Sequence, residues 1–502
     1  VQSVPMRKGH AGHNRFVPPV VNVNDRRTEG QQQESSVSNR TRRRSTAGCA
    51  LLAALLTAPL ALASPAAAAA RTPVVDFNGD GYADLAIGAP RATVSGLTSA
   101  GYISVVHGSS AGADAAHPKL ITRATTGVPG AVKEYDSFGE WTTARDLDED
   151  GYTDLVVGGY STPVVLWGSA QGLGNGTALT GTAYQVAGGD INGDGHADLV
   201  ANIGGSLQVR FGPFTRAGVP ASTDTLDFDD EDGAQAFTVG DMNGDGKDDV
   251  VTTHGFEEMQ YKSRFWAGTS TGLSKTYKTT GYYTIGGVIA DVNKDGYGDF
   301  MALEVDQVSE VREYDAGAVR VVYGSAVGPS TRTAKITQET AGVPGVSEAG
   351  DYDQNLGDQF GYSLAAGDVN GDGYPDVAVG VPGEDVGSVR EAGSVVLLKG
   401  GSSGLTGSGA QAFTQSTSGV PGVSEAGDNF GRSVHLADVN ANHRADLVLG
   451  APLEDGTYKD SGAVWVFRGS TSGLTTTNIA SFGPSSLGAP QKGAFFGLAF
   501  AD

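Results

Sequence analysis

Seven times along the chain, oxygen-bearing side chains recur at alternate positions of a ten-residue stretch. The copies are DFNGDGYADL from Asp76, DLDEDGYTDL from Asp146, DINGDGHADL from Asp190 and DMNGDGKDDV from Asp241. They continue with DVNKDGYGDF from Asp291, DVNGDGYPDV from Asp368 and DVNANHRADL from Asp438. Positions 1, 3, 5 and 9 carry the oxygens, and position 7 can add its main-chain carbonyl. An all-oxygen donor set suits a hard cation with flexible coordination, calcium above all. Glycine at position 6 permits the left-handed turn that folds the donors inward.

The candidate ligands follow by position. They are Asp76, Asn78, Asp80, Tyr82 and Asp84 in the first loop, and Asp146, Asp148, Asp150, Tyr152 and Asp154 in the second. The third and fourth loops offer Asp190, Asn192, Asp194, His196 and Asp198, then Asp241, Asn243, Asp245, Lys247 and Asp249. The fifth and sixth offer Asp291, Asn293, Asp295, Tyr297 and Asp299, then Asp368, Asn370, Asp372, Tyr374 and Asp376. In the seventh, Asn442 replaces an aspartate and His443 replaces the glycine. Its set of Asp438, Asn440, Asn442, Arg444 and Asp446 is expected to bind weakly or not at all. About six structural calcium sites are therefore expected. An EF-hand starts similarly but needs a carboxylate at position 12 and flanking helices. Position 12 here is Ile87, Val157, Ala201, Thr252, Ala302, Val379 or Leu449. A plain acidic turn does not explain why three or four carboxylates crowd together so often.

Short strands must position these loops. Loop starts are separated by 70, 44, 51, 50, 77 and 70 residues. Before three loops stands an FG segment, from Phe138, Phe360 and Phe430, and after three comes Gly-Ala-Pro or Gly-Val-Pro, from Gly88, Gly380 and Gly450. Runs of four to seven β-prone residues between glycine-rich turns read as strands, and no long stretch has helical periodicity. Glycine fills 75 of 502 positions, which suits turn-rich β structure better than helix. A four-stranded unit cannot bury both faces alone, whereas a radial ring buries them against neighbours. The expected fold is all-β, a seven-bladed β-propeller of four-stranded blades. A β-solenoid has shorter, more even rungs. The segment from Phe496 to Asp502 is an FG strand with no loop after it, and Asp76 starts a loop with no FG strand before it. The last strand is expected to close the ring by completing the first blade.

Residues 1–39 read as a polar N-terminal extension and 40–70 as a secretory signal peptide. The latter has Arg42 to Arg44, an apolar run from Ala47 to Ala63, and small residues up to Ala70. Residues 71–502 form the propeller. Secretion into an extracellular setting is the expected location, with no membrane span. The single cysteine, Cys49, sits at the front of the apolar run, so the exported part has no disulfide and calcium must brace it. A site with a Kd of about 0.1 mM in millimolar calcium adds about 2 kcal/mol. The formal charge of −23 argues against nucleic acid as a partner.

These motifs resemble the FG-GAP repeats of integrin α-subunit head domains and their bacterial secreted relatives, over essentially all of residues 72–502. The resemblance implies calcium between a blade's first two strands, and recognition of protein or matrix on the opposite face. No RGD-type sequence occurs.

Three segments fit G-x-S-x-G, around Ser110, Ser270 and Ser402, but all fall in the same glycine-rich turn of the repeat. A nucleophile elbow requires strand–turn–helix and is unique, so no catalytic residue is expected. Binding is the better expectation. The motif GVPGVSEAGD occurs from Gly342 and Gly419, with a looser copy from Gly127. Together with acidic insertions it is expected to form a rim opposite the calcium loops, with Glu384, Asp385, Glu391, Glu454, Asp455 and Asp460 as candidate ligand contacts. The expected role is a monomeric binding or adhesion-type module for a protein or cell-surface polymer. A hydrolase or lyase on the same scaffold, or a lectin-like glycan binder, is the alternative.

Overall fold

The computed structural model describes residues 75–501 apart from 184, 229–232, 257–258, 309–313 and 351–355. The polar extension, the signal peptide and Cys49 lie outside the described residues, as does Asp502.

Seven four-stranded antiparallel sheets follow one another along the chain. Blade 2 is built from Trp141–Arg145, Asp154–Gly158, Val164–Leu166 and Gly176–Ala178. Blade 3 runs from Gln185–Gly189 to Ser222–Leu226, blade 4 from Ala234–Gly240 to Lys278–Thr279, and blade 5 from Thr284–Ala290 to Thr333–Ile336. Blade 6 runs from Leu364–Gly367 to Thr406–Phe413, and blade 7 from Ser433–Ala437 to Gly473–Phe482. Blade 1 takes Leu85–Ala89, Tyr102–Val106 and Lys119–Ile121 from the start of the described chain. Its innermost strand is Ala499–Phe500 from the end. The closing strand pairs Ile87 with Phe500 and Gly88 with Ala499. Neighbouring bonds extend the zip, from Gly497 N–H to Gly88 O and from Ala501 N–H to Ala86 O. The expected ring closure is what the structure shows.

Each blade interface has its own apolar cluster, so seven clusters replace one central core. The second strand of a blade is therefore buried on both faces. Along Leu85–Ala89, Leu85 and Ile87 face blade 7 while Ala86 faces blade 2, the two-residue alternation of a strand. This is why such strands read as continuous apolar runs rather than alternating ones. Each fully buried Leu, Ile or Phe side chain contributes about 1.5–3 kcal/mol. The innermost strands of all seven blades touch in cyclic order and leave a central cavity of about 340 Å³.

The FG and GAP motifs meet at these interfaces. Phe138, Phe360, Phe430 and Phe496 are fully buried. The glycine after each has positive φ, from 83° to 102°, and donates its N–H to the GAP-position glycine of its own blade, as in Gly431 to Gly450 at 3.1 Å. The carbonyls of Gly139, Gly431 and Gly497 face the GAP glycine of the preceding blade. A Cβ on Gly380 would lie 2.1 Å from Gly431 O. Both glycines are there because two backbones pass without room for a side chain.

Replacing Gly380 with alanine is expected to cost about 2 kcal/mol or more in urea unfolding, because rigid backbone must move. Gly387→Ala meets nothing within 4 Å and is expected to lose only about 1 kcal/mol, from its left-handed backbone.

Candidate calcium centres

Six of the acidic loops join the innermost strand of a blade to its second strand, and the first leads into the second strand of blade 1, whose innermost strand comes from the chain end, so all seven share one face of the ring. Their apolar positions 2 and 10 are buried at 0–2% exposure, from Phe77 and Leu85 to Val439 and Leu447. These residues anchor both ends of each loop in the interface clusters. Between them the backbone wraps around the first aspartate. Asp76 accepts N–H bonds from Gly79 (2.7 Å), Asp80 (3.2 Å) and Gly81 (2.8 Å). Asp190 and Asp241 repeat that set, and Asp146, Asp291 and Asp368 keep parts of it. The side chain at position 5 in turn accepts the N–H of position 7 in all seven loops, from Tyr82 at 3.0 Å to Arg444 at 2.9 Å.

Positive φ occurs at position 4 as well as position 6. Position 4 is Gly79, Glu149, Gly193, Gly244, Lys294, Gly371 and Ala441. The seventh loop keeps the same turn without glycine at either place, with Ala441 at φ 54° and His443 at 64°. It also keeps the wrapped first aspartate, through bonds from Asn442 and His443 to Asp438. Asn440 donates its carboxamide to Asp446 at 2.7 Å.

The ninth-position aspartate does more than the sequence suggests. Asp84 is almost fully buried and the other six fully so. One oxygen accepts the N–H of loop position 2 and the other accepts the N–H of a glycine just beyond the third strand. In blade 2 these are Leu147 at 2.9 Å and Gly168 at 2.7 Å from Asp154. Asp84, Asp198, Asp249 and Asp376 make the same pair of bonds. Asp299 and Asp446 hold the glycine, Gly324 and Gly469. Burial pushes Asp154, Asp249 and Asp299 up to about 7, and Asp198, Asp376 and Asp446 up to about 6. The amide bonds oppose the rise, and the other loop carboxylates add to it.

Loop 2 shows what would satisfy this charge. Asp146, Asp148 and Asp154 each direct one oxygen to a common place, all within 4.8 Å of one another. Asp146 Oδ1 and Asp148 Oδ1 are buried without a hydrogen-bond donor, as is Asp299 Oδ2 in loop 5. Acceptors converging without donors fit a hard cation. On the outer side, Arg216 binds Asp148 and Asp150, and the Glu149 carboxylate meets His196 of the next loop.

The loops are also linked around the ring. The position-1 carbonyl accepts the position-8 N–H of the next loop, as from Thr153 to Asp76 (2.9 Å), Asp248 to Asp190 (2.8 Å), Gly298 to Asp241 (3.1 Å) and Ala445 to Asp368 (2.8 Å). Ala83 to Asp438 at 3.4 Å spans the closure. In loop 6, position 8 is Pro375, which has no N–H to give.

The other sequence features fall away from this face or into turns. Ser110, Ser270 and Ser402 lie in the tight turns after third strands, and in blade 4 that turn is a two-stranded hairpin of Gly268–Thr269 and Gly272–Leu273. No helix follows any of them. Trp167, Trp266 and Trp465 are buried in blade interfaces, and Trp141 borders the central cavity with Glu140 and Arg145. The acidic insertions join second to third strands, on the face opposite the acidic loops. There Glu384 and Glu454 are half-buried, each holding a glutamine side chain. Asp385 accepts the N–H of Glu391, Asp455 that of Asp460, and Glu391 that of Leu356. Asp385 and Asp455 thus brace their own loops, while Glu384, Glu391 and Glu454 hold neighbouring segments.

A family model described as FG-GAP repeat matches residues 69–106, 360–398 and 430–467. One described as FG-GAP-like repeat matches residues 146–201. The chain carries FG-GAP repeats. Among relatives, this chain is 32% identical to integrin alpha-PS5 of Drosophila melanogaster over 124 residues, 24% of this chain and 11% of that protein. It is 27% identical to integrin alpha-8 of Mus musculus over 271 residues, 51% of this chain and 22% of that protein. It is 29% identical to phosphatidylinositol-glycan-specific phospholipase D of Bos taurus over 184 residues, 36% of this chain and 20% of that protein. The chain thus spans between 11% and 22% of the length of these relatives. Among solved structures, BBS1N in complex with ARL6DN covers 68% of this chain and 80% of the compared chain at 11% identity, with a TM-score of 0.38. That likeness is too low to bear on function.

Two predictions follow from the loop geometry. Because Asp154, Asp198, Asp249, Asp299, Asp376 and Asp446 titrate higher in the folded chain than unfolded, their protonated form stabilises the metal-free fold. That stability is complete below about pH 4 and lost as pH rises through about 6 to 7. Melting temperature in excess chelator is therefore expected to fall between about pH 4 and 7.5, and saturating calcium is expected to flatten the slope. Separately, His443→Gly relieves a left-handed non-glycine residue and is expected to raise stability by about 1 kcal/mol in denaturant unfolding.

Proposed function

We propose that the chain is a secreted, calcium-stabilised propeller that serves as a binding module for an extracellular protein or cell-surface polymer. The observation that carries this reading is the division of the ring into two unlike faces. One face holds seven acidic loops whose carboxylates are wrapped by backbone and turned inward, an arrangement that uses its donors for structure. The other carries the acidic insertions of blades 6 and 7, which are adjacent and leave Asp455 exposed. The resemblance to integrin alpha chains supports recognition of a macromolecule. Secretion is supported by the basic, apolar and alanine-rich order of residues 40–70. Bound calcium would supply the positive charge that the buried loop carboxylates lack.

The match to phosphatidylinositol-glycan-specific phospholipase D supports a second reading as a hydrolase. The polar cluster nearest the axis is Glu140, paired with Arg91 at 3.1 Å, and Arg145, which donates to Gly188 O at 2.8 Å. Both are engaged in blade-to-blade contacts, which favours binding over catalysis.

The test is retention of the calcium-loaded chain on immobilised extracellular-matrix proteins and purified cell-wall polysaccharides. Retention is expected to fall at least about tenfold, about 1.4 kcal/mol, in Asp455→Lys/Asp460→Lys and to survive Asp80→Asn on the loop face. Loss only in the loop-face variant, or release of product from a phosphatidylinositol-glycan substrate, would overturn the reading.

A further inference from the structure

Four places in the ring share one sequence frame, in which a GVP or GAP turn leads into an FG strand at a blade interface. Three positions recur there: one just after an outer strand, one two residues before the FG phenylalanine, and one in the next blade's connection between second and third strands. Between blades 1 and 2 they are Arg123, Asp136 and the carbonyl-contributing Thr162. Between blades 5 and 6 they are Gln338, Asp358 and Glu384, and between blades 6 and 7 Gln415, Asp428 and Glu454. Between blades 7 and 1 all three positions are without charge, as Pro484, Ala494 and Ala92. The three positions change together.

In the first place the charge is balanced within the protein. Asp136 is buried, and Arg123 Nε donates to it at 2.7 Å while its other nitrogens reach Pro129 O and Thr162 O. In the next two places the guanidinium is gone. Asp358 and Asp428 remain buried at 2% and 3% exposure. The charged groups that act on Asp358 most strongly are Glu384, Glu348 and Asp385, and on Asp428 they are Glu454, Glu425 and Asp455. All are acidic. Lys133 stands in the first copy where Glu425 stands in the third.

A second observation points to a ligand. Gln338 and Gln415 are 4% and 2% exposed. Each donates its carboxamide nitrogen to the nearby glutamate, which fixes the orientation of the amide. Each thereby leaves its Oε1 buried with no donor. The same orphaned oxygen at the same place in two repeats is a built feature. Water could satisfy the amide oxygen but would bring no charge to two crowded carboxylates.

We propose that Gln338–Asp358–Glu384 and Gln415–Asp428–Glu454 are two further divalent-cation sites, of calcium type, at adjacent blade interfaces on the face opposite the acidic loops. The amide oxygen and two carboxylates form an all-oxygen set suited to a hard cation, which occupies the role that the Arg123 guanidinium fills between blades 1 and 2. The sites are independent of calcium in the loops and fix the acidic insertions from beneath.

The test is radioactive-calcium equilibrium dialysis of the full chain at saturation, comparing wild type with two double variants. Glu384→Ala/Glu454→Ala removes a donor from each site, and Gln338→Arg/Gln415→Arg installs the built-in cation of the first copy. Circular dichroism confirms that each is folded. The expected result is two fewer bound ions per chain in each variant. If the alanine variant fails to fold, the arginine variant alone decides, since it supplies the missing charge. Equal stoichiometry in wild type and arginine variant overturns the proposal and leaves Asp358 and Asp428 sharing protons with their neighbouring glutamates.

Discussion

A buried aspartate that holds the N–H of a distant glycine, and in five of the seven blades a second backbone amide as well, is the contact on which each blade depends. It sits where the loop enters the second strand and reaches a glycine N–H beyond the third strand, 14 residues away in blade 2 and 24 in blade 1. The loop, the second strand and the following turn are thus tied at one point. The same carboxylate faces the other acids of its loop, so the tie carries a charge cost that rises with burial. A cation among the loop oxygens would offset that cost, which would make stability and metal binding one problem in this chain.

From the tie outward, the ring follows. Loops held rigidly can exchange main-chain bonds with the next loop, and the apolar residues at loop positions 2 and 10 enter the clusters on either side. Seven local interfaces then share the burial that one core would otherwise supply. Closure falls to two paired residues at the end of the chain, reinforced by the FG and GAP glycines and by the loop-face bond between Ala83 and Asp438. A short closing strand suffices because it completes a pairing of innermost with second strand that the other six blades already make.

Much of this was legible in the sequence because each repeat is local. The spacing of Asp, Asn and Gly within ten residues, and the FG and GAP signals on either side, specify strand, turn and blade without long-range information. Ring closure was legible for the same reason, from an FG strand without a loop at one end and a loop without an FG strand at the other. The double bond of the ninth aspartate was not legible, because its second partner lies beyond another strand and is an ordinary glycine. The left-handed fourth position was hidden by Glu149, Lys294 and Ala441, which hold the turn without glycine. On the far face, Glu384 and Glu454 read as exposed acids, yet their partners Gln338 and Gln415 come from the preceding blade. Asp358 and Asp428 drew no notice, since one carboxylate before an FG pair carries no signal until burial is known.

The central claim is that cations at the loop face hold the ring together. The most direct measurement is thermal unfolding of the full chain at neutral pH in millimolar calcium, in magnesium, and in excess chelator. The account predicts that chelation lowers the melting temperature by about 10 °C or more, and that calcium restores it while magnesium does not. Coincident curves in all three conditions would contradict it, because the buried loop carboxylates would then be stable without a counter-charge.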